Sequence, residues 1–343
     1  MTAPAQEPIT YLDSTDVQRL CADLSVIGLV EETLAALGRA EAGLSPEAAL
    51  RWTTASGDSA RSLILPAWAG DAYGCKIINA SLGNQARGLP RAAGLIVLND
   101  PQTARPVCVM EGGLISALRT AGVSLAAVRA VRDETRITRV AFLGCGRQAE
   151  VHAGMLMAAF PAVREIVLFD RDAARAGQLA AALGDAHPRA GVSVAARARE
   201  AVERAELTIA VTTTTEPYVE LDWLPAGATF VNVSLDDAAR SLLLGCDHLF
   251  VDDWELVADD HHRLLGVLAG NGLVGAPGKE APEGGRSVDA ELPSLLRGGY
   301  DRPVTDHERV VINPFGMGVH DIAVAAAVYR RARERGLGLA LPR

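Results

Sequence analysis

Cysteine is scarce in this sequence and unpaired in pattern. The five cysteines, Cys21, Cys75, Cys108, Cys145 and Cys246, are scattered, odd in number and never spaced as CxxC. That excludes a disulfide framework and a structural zinc site, and it suits a reducing compartment. Aromatic residues make up only 4% of the chain, so Ala and Leu are expected to fill the core. Positive charge is also in deficit, 33 Lys and Arg against 42 Asp and Glu, for a net charge of −9. A nucleic-acid partner, which needs a basic surface, is therefore not expected. No apolar run is expected to reach the length of a membrane span, and the opening Met1 to Pro8 lacks the basic-then-apolar order of a secretory signal. These absences predict a cytoplasmic protein with neither membrane nor nucleic acid as partner. The pair His261-His262 lacks a second carboxylate-rich cluster, so no metal site is expected.

What is present is ordinary globular composition, 49% hydrophobic and 22% charged, over 343 residues, which predicts about two domains. Residues 8–22 read as a short strand and then a helix capped by Ser14 or Thr15. Helical spacing runs from Ile27 to Ala42. Short apolar segments at 61–66, 73–79, 94–99 and 106–110 read as strands, and Leu114 to Val131 as a helix. Then five apolar strands, 139–143, 165–169, 207–211, 228–233 and 248–251, alternate with helical stretches such as 172–183 and 197–205. Alternation of this kind predicts an α/β protein with a Rossmann-type, doubly wound parallel sheet. Residues 266–303, rich in Gly, Pro and charge, read as a loop or lid-like segment, and 320–335 as a last helix.

The most informative feature is Gly144-Cys-Gly-Arg-Gln-Ala149, between the apolar run 139–143 and a helical stretch. Gly144 permits the tight turn, and Gly146 lets backbone N–H groups approach a pyrophosphate at a helix N-terminus. Ala149 suits close helix-to-strand packing. Asp170 ends the next apolar run, where a carboxylate accepts hydrogen bonds from an adenosine ribose and repels a 2′-phosphate. NAD is thus favoured over NADP, although Arg171 adjoins and weakens that preference. The expected cofactor residues are Gly144, Gly146, Arg147, Gln148, Ala149, Asp170, Arg171, Thr212, Thr213, Asn232, Ser234 and Met317. The competing reading is a plain βα turn without a ligand. Cys145 is read as a small packing residue.

Four further features carry chemistry. Lys76 stands in an apolar strand, where burial is costly unless it is paired; the alternative is an edge lysine that snorkels. Arg119 lies one turn into a helix and suits bidentate capture of a carboxylate, or else a surface ion pair. Asp236 and Asp237 follow a strand's C-terminal end, where open parallel sheets bind ligands; Asp237 suits a base, and helix capping is the alternative for both. Asn313 to Asp321 carries glycines that let backbone approach a ligand.

These stretches resemble the ornithine cyclodeaminase/mu-crystallin family over nearly the whole chain. The matching motifs include Gly74-Cys-Lys76, Gly88-Leu-Pro90, Arg119-Thr-Ala-Gly, the glycine loop and Gly316-Met-Gly-Val-His-Asp321. Within the family, Arg91 to Pro101, Pro217 to Leu224 and Val251-Asp-Asp-Trp254 look most like the branch that makes 2,3-diaminopropionate for siderophores and peptide antibiotics. The resemblance implies a homodimer, with a discontinuous α+β substrate and dimerisation domain (1–127 with 319–343) beside an NAD-binding domain (128–318). It matches Arg51, Lys76 and Arg119 to carboxylate-binding positions and Asp237 to the catalytic aspartate, making Lys76 and Asp237 the catalytic pair. After Asp237 stands Ala238-Ala-Arg240 rather than Cys-Pro-Gly-Lys, which argues against ornithine cyclisation.

The activity so implied is oxidation of an N-(2-amino-2-carboxyethyl)-L-glutamate-like secondary amine to 2-oxoglutarate and L-2,3-diaminopropionate. Two readings compete with it. One is ornithine cyclodeaminase, imine reductase or alanine dehydrogenase activity. The other is non-catalytic NAD(P)H binding of the mu-crystallin type.

Overall fold

The computed structural model describes residues 7–233 and 235–343. The chain divides into two compact units, 1–119 with 317–343, and 120–316. The division falls inside the helix Gly113–Val131 and just before the helix Gly318–Arg335.

The first unit is built on an eight-stranded mixed sheet. Four strands, Ser59–Ala69, Ala72–Ser81, Ala92–Asn99 and Pro106–Glu111, form a continuous antiparallel meander. Ile9–Leu12 adds in parallel at one side, and Ala42–Leu44 and Ala48–Thr53 both pair with Ser59–Ala69. Side chains alternate between faces. On one face Leu65, Ala67, Ile96, Leu98, Cys108 and Met110 are buried. The helix Gly318–Arg335 covers part of that face. A Cβ on Gly318 would meet the Leu65 Cβ at 2.8 Å, and one on Gly74 would meet the Ile322 Cδ1 at 3.1 Å. Glycine at those two points is what lets helix and sheet approach.

Near the start, the helix Ser14–Cys21 is capped by Asp13, whose side chain accepts from the Thr15 and Asp16 N–H groups at 2.8 and 2.9 Å. Ser14 and Thr15 are therefore not the cap, because the carboxylate one position earlier reaches both orphan donors. The next helix is Val26–Leu37, shorter than its apolar spacing predicts, because Gly38 ends it.

The second unit carries an eight-stranded sheet whose order is Gly191–Val194, Glu165–Phe169, Arg139–Leu143, Leu207–Ala210, Thr229–Asn232, Val310–Asn313, His248–Val251, Ala290–Glu291. Every pair in it is parallel. Its central strands are buried on both faces, with Val140 to Leu143 at 0% exposure. That is why they read as unbroken apolar runs rather than alternations. Strand order reverses between Arg139–Leu143 and Leu207–Ala210, the point at which such sheets bind ligands. The fold is α/β, as expected from the alternating pattern.

Three elements depart from expectation. Val310–Asn313 inserts in the sheet between Thr229–Asn232 and His248–Val251. Ala48–Thr53 is a strand. The segment 266–303 holds the helix Leu292–Leu296 and the edge strand Ala290–Glu291 as well as loop. The expectation that no apolar run reaches membrane-span length also needs correction. Gly113–Val131, with 19 residues, is long and apolar enough by length and composition, and 61% of its most apolar window is buried within the structure. Its alanines, valines and leucines raise the apolar average, while Arg119 and Arg129 interrupt the run.

Candidate active site

In the first unit, strand Ala72–Ser81 points Lys76 into the packed face of the sheet, where it is 2% exposed. Its Nζ donates to Asp321 Oδ2 at 2.6 Å and to Ser116 Oγ at 3.3 Å. Arg119 Nε approaches the same Asp321 oxygen at 3.1 Å, and Asp321 is fully buried. Two cations thus share one carboxylate oxygen. Asp321 Oδ1 is also buried and has no hydrogen-bond partner among the described residues. Burial, and after it the neighbouring Arg119 charge, push the Lys76 ammonium down to about 8, against the opposing pull of Asp321. Neither bland alternative holds: Lys76 does not snorkel, and the Arg119 ion pair is not at the surface.

Asp321 is the residue that sequence reasoning did not single out. The available signal was a carboxylate in the first turn of a helix otherwise built of Val, Ile and Ala. Beside it, His320 is fully buried, and neither ring nitrogen has a partner among the described residues. Burial holds its pKa down to about 3, so the ring is neutral. Arg51 stands apart from this cluster, on the exposed strand Ala48–Thr53. Met317, 1% exposed, is the N-cap residue of the helix that bears Asp321.

In the second unit, the turn after Arg139–Leu143 has the geometry of an anion cradle. Gly144 has φ +88°, and a Cβ there would lie 3.0 Å from Val211 and Thr212 backbone, so only glycine fits. Gly146 is different: its φ is −91°, and a Cβ would meet nothing within 4 Å. Its missing side chain leaves open space over the helix Arg147–Ala159. That helix has no side-chain cap, so its first N–H groups are free to face an anion. Ala149 is fully buried beneath the turn, and Cys145 is buried too, its thiol pushed up to about 12 by burial. Asp170 binds the turn as well. It accepts from Cys145 N–H at 2.8 Å through Oδ2 and from Asp172 N–H at 2.9 Å through Oδ1. Each oxygen keeps a lone pair for a further donor. Arg147 is exposed and pairs with Glu150 at 2.9 Å, whereas Gln148 Oε1 is buried without a partner among the described residues. Arg171 and Thr213 are exposed. These residues fit a dinucleotide.

A second constellation lies at the carboxyl ends of the neighbouring strands. Asp237, at 0% exposure, accepts on Oδ1 from Thr212 Oγ1 at 2.8 Å and Tyr218 OH at 2.9 Å. Backbone bonds from Tyr218 and Val219 N–H to the Asp237 carbonyl fix its position. Burial and the Asp237 charge push the Tyr218 phenol far up, so it stays a donor. Asp236 does a different task. It accepts from Leu264 N–H at 2.7 Å at the start of Leu264–Gly270, so it, not Asp237, satisfies a helix end. Asn232 Nδ2 donates to Asn313 Oδ1 at 2.6 Å, which leaves Asn232 Oδ1 buried without a partner among the described residues. Asn313 comes from the inserted strand, so that bond was not legible from spacing. Asp252 accepts from Phe315 and Gly316 N–H at 2.8 and 2.6 Å and pins that loop; burial raises its pKa. Ser234 lies outside the described residues.

The fold and its sites define an α/β protein with a dinucleotide-type glycine turn in one unit and a buried cationic cluster in the other. The chain belongs to the ornithine cyclodeaminase/mu-crystallin family, whose sequence profile matches residues 11–336. It is 30% identical to the N-((2S)-2-amino-2-carboxyethyl)-L-glutamate dehydrogenase of Staphylococcus aureus, over 78% of this chain and 77% of that protein. Among solved structures it is similar to CmnK, with 33% identity, a TM-score of 0.88 and 98% of both chains covered. The fold also matches an archaeal alanine dehydrogenase dimer with bound NAD, at 23% identity and a TM-score of 0.83, covering 97% of this chain and 98% of the other.

Proposed function

We propose that this chain oxidises an N-(2-amino-2-carboxyethyl)-L-glutamate-like secondary amine with NAD, releasing 2-oxoglutarate and L-2,3-diaminopropionate. Its family membership makes it an NAD-dependent amino-acid oxidoreductase. The finer substrate rests on the similarity to the Staphylococcus aureus dehydrogenase and on one observation: Lys76 and Arg119 gather about a single buried carboxylate. That cluster keeps a net positive charge, as recognition of a carboxylate requires, and the Arg119 Nη groups make no hydrogen bond among the described residues.

Bound NAD supplies the hydride acceptor. Gly144, Gly146 and the N-terminus of Arg147–Ala159 would hold its pyrophosphate, and Asp170 its adenosine ribose. Lys76 and Arg119 would hold a substrate carboxylate and so orient the Cα–H; positioning of this kind contributes roughly 7–11 kcal/mol in favourable systems. Loss of hydride from Cα leaves a C=N bond. Asp237, its orientation set by Thr212 and Tyr218, would take a proton from the water that adds to that carbon. The C–N bond then breaks to give the 2-oxo acid and the primary amine. Help from a general base is typically worth about 10²–10⁴-fold.

The open face of the first sheet supports a homodimer. Ile64, Ile77 and Leu95 are cross-strand partners there, with Ile64 39% and Leu95 43% exposed, beside Leu50 and Trp52. An apolar surface of this kind calls for a cover, and a second copy supplies it.

The deciding experiment follows NADH absorbance with the glutamate conjugate, ornithine and alanine in turn. Appearance of NADH and 2-oxoglutarate from the conjugate alone is the expected result. Turnover of ornithine or alanine instead would replace the reading. Tight NAD binding with silence toward every amine would make the chain a binding protein.

A further inference from the structure

Asn232 ends the strand Thr229–Asn232 in the second unit and is 3% exposed. Its side-chain amide is held at one end. Nδ2 donates to Asn313 Oδ1 at 2.6 Å and to the Leu235 carbonyl at 3.3 Å. A carbonyl only accepts, so the end of the amide that faces Leu235 is the nitrogen and the other end is the oxygen. That oxygen, Oδ1, is buried and has no hydrogen-bond partner among the described residues. A buried acceptor left without a donor is costly and uncommon, and it calls for a donor that arrives from outside the chain.

The place of Asn232 in the sheet says which donor that is. Neighbouring strands run in the order Glu165–Phe169, Arg139–Leu143, Leu207–Ala210, Thr229–Asn232. Asp170 follows the first, the glycine turn follows the second, Thr212 lies just past the third, and Asn232 closes the fourth. At about 4.8 Å between strands, Asp170 stands ~5 Å to one side of the turn and Asn232 ~10 Å to the other. A dinucleotide with its pyrophosphate on the turn and its adenosine ribose on Asp170 lays its other half over the last two strands. In NAD that half ends in a carboxamide, whose nitrogen is its N–H donor. The amide of Asn232 has the matching orientation. Its nitrogen is turned to Asn313 on the next strand, Val310–Asn313, so its oxygen is turned the other way, toward Leu207–Ala210 and the crevice. Thr212, two residues past the register partner of Asn232, is half-buried, so the crevice reaches this depth.

We infer that Asn232 Oδ1 accepts a hydrogen bond from the nicotinamide carboxamide, and that Asn313, which holds the other end of the amide, is the positioning residue that keeps the oxygen turned to the ring. A ring gripped by its carboxamide cannot turn about its glycosidic bond, so it offers one face to the hydride. The inference rests on the proposed function for the identity of the cofactor, but its test needs no turnover. Isothermal titration compares NAD with its acetylpyridine analogue, in which a methyl ketone replaces the carboxamide: the carbonyl stays and the N–H is lost. Wild type should bind NAD on the order of 10- to 100-fold more tightly, the range for a buried acceptor left unpaired. Asn232→Ala should reduce the preference to less than about threefold. Asn313→Ala, which frees the amide to turn, should fall between the two. ADP-ribose, which has no nicotinamide, should bind wild type and both variants alike, and so show that the variants fold and keep the rest of the site. A wild-type protein without the preference overturns the contact, whether or not the variants fold. An Asn232→Ala protein that binds ADP-ribose normally and keeps the preference overturns it as well. Absence of binding by NAD and ADP-ribose together would remove the NAD reading and this contact with it. Preference without any NADH from the glutamate conjugate would sink the proposed reaction and leave the contact standing.

Discussion

Asp321→Asn tests the buried cluster most directly. The change is nearly isosteric, so it opens no cavity, but it removes the anion that Lys76 Nζ meets at 2.6 Å and Arg119 Nε at 3.1 Å. Removing one partner of a buried pair typically costs about 3–5 kcal/mol. At about 2.1 cal/mol/K of unfolding entropy per residue, each kcal/mol moves the Tm of a 343-residue chain by about 1.4 °C. A fall of roughly 4–7 °C is therefore expected at neutral pH. Lys76 sets the pH dependence. Its pKa is already down to about 8, and losing Asp321 removes a charge that raises it. The variant therefore sheds the strain by deprotonating Lys76, and more easily at high pH. Calorimetry should find the Tm difference from wild type largest near pH 6 and much smaller near pH 9. A difference below about 2 °C throughout, or one that does not vary with pH, would refute the claim that Lys76 is held charged by Asp321.

The other predictions reach the glycine turn, Asp237 and the open sheet face as well as Lys76. Lys76 also affects the wild type: folding lowers its pKa, so the unfolded chain binds the extra proton between pH 8 and the ordinary lysine range. Its contribution to stability should therefore rise with pH across that window, while affinity for 2-oxoglutarate falls about tenfold per unit above pH 8 in titrations. Gly144→Ala and Gly146→Ala should separate fold from ligand. The first forces a left-handed φ and a 3.0 Å backbone approach, and should lower Tm with a loss of about 1–3 kcal/mol. The second meets nothing in the protein. It should leave Tm within about 2 °C, yet weaken NAD at least tenfold by occupying the space over the helix N-terminus. Equal effects of the two on NAD affinity and Tm would argue against a pyrophosphate there. Tyr218→Phe removes one of two hydroxyl donors to Asp237 and should lower kcat about 10- to 100-fold with NAD affinity kept; normal kcat would show that the Tyr218 hydroxyl does not set the working state of Asp237. Leu95→Asp, on the open sheet face, should shift the mass measured by light scattering from dimer to monomer, and an unchanged mass would place any dimer contact elsewhere.

How far the sequence could be read depended on how local each feature is. The glycine turn, the strand before it and Asp170 lie within 32 residues of one another. Each follows from backbone conformation and hydrophobic period, so each was legible. Lys76 was legible as an anomaly, a charge in an apolar strand, but its partner was not: Asp321 lies 245 residues away. No period links two such positions; only the return of the last helix to the first sheet does. The same reason hid the Asn232–Asn313 bond, since Val310–Asn313 enters the sheet out of chain order after a long Gly- and Pro-rich segment. Chemistry that depends on one residue type in a strained turn is thus visible in sequence. Chemistry that depends on which charges face one another is not, as the pairing of Lys76 with Asp321 across 245 residues illustrates.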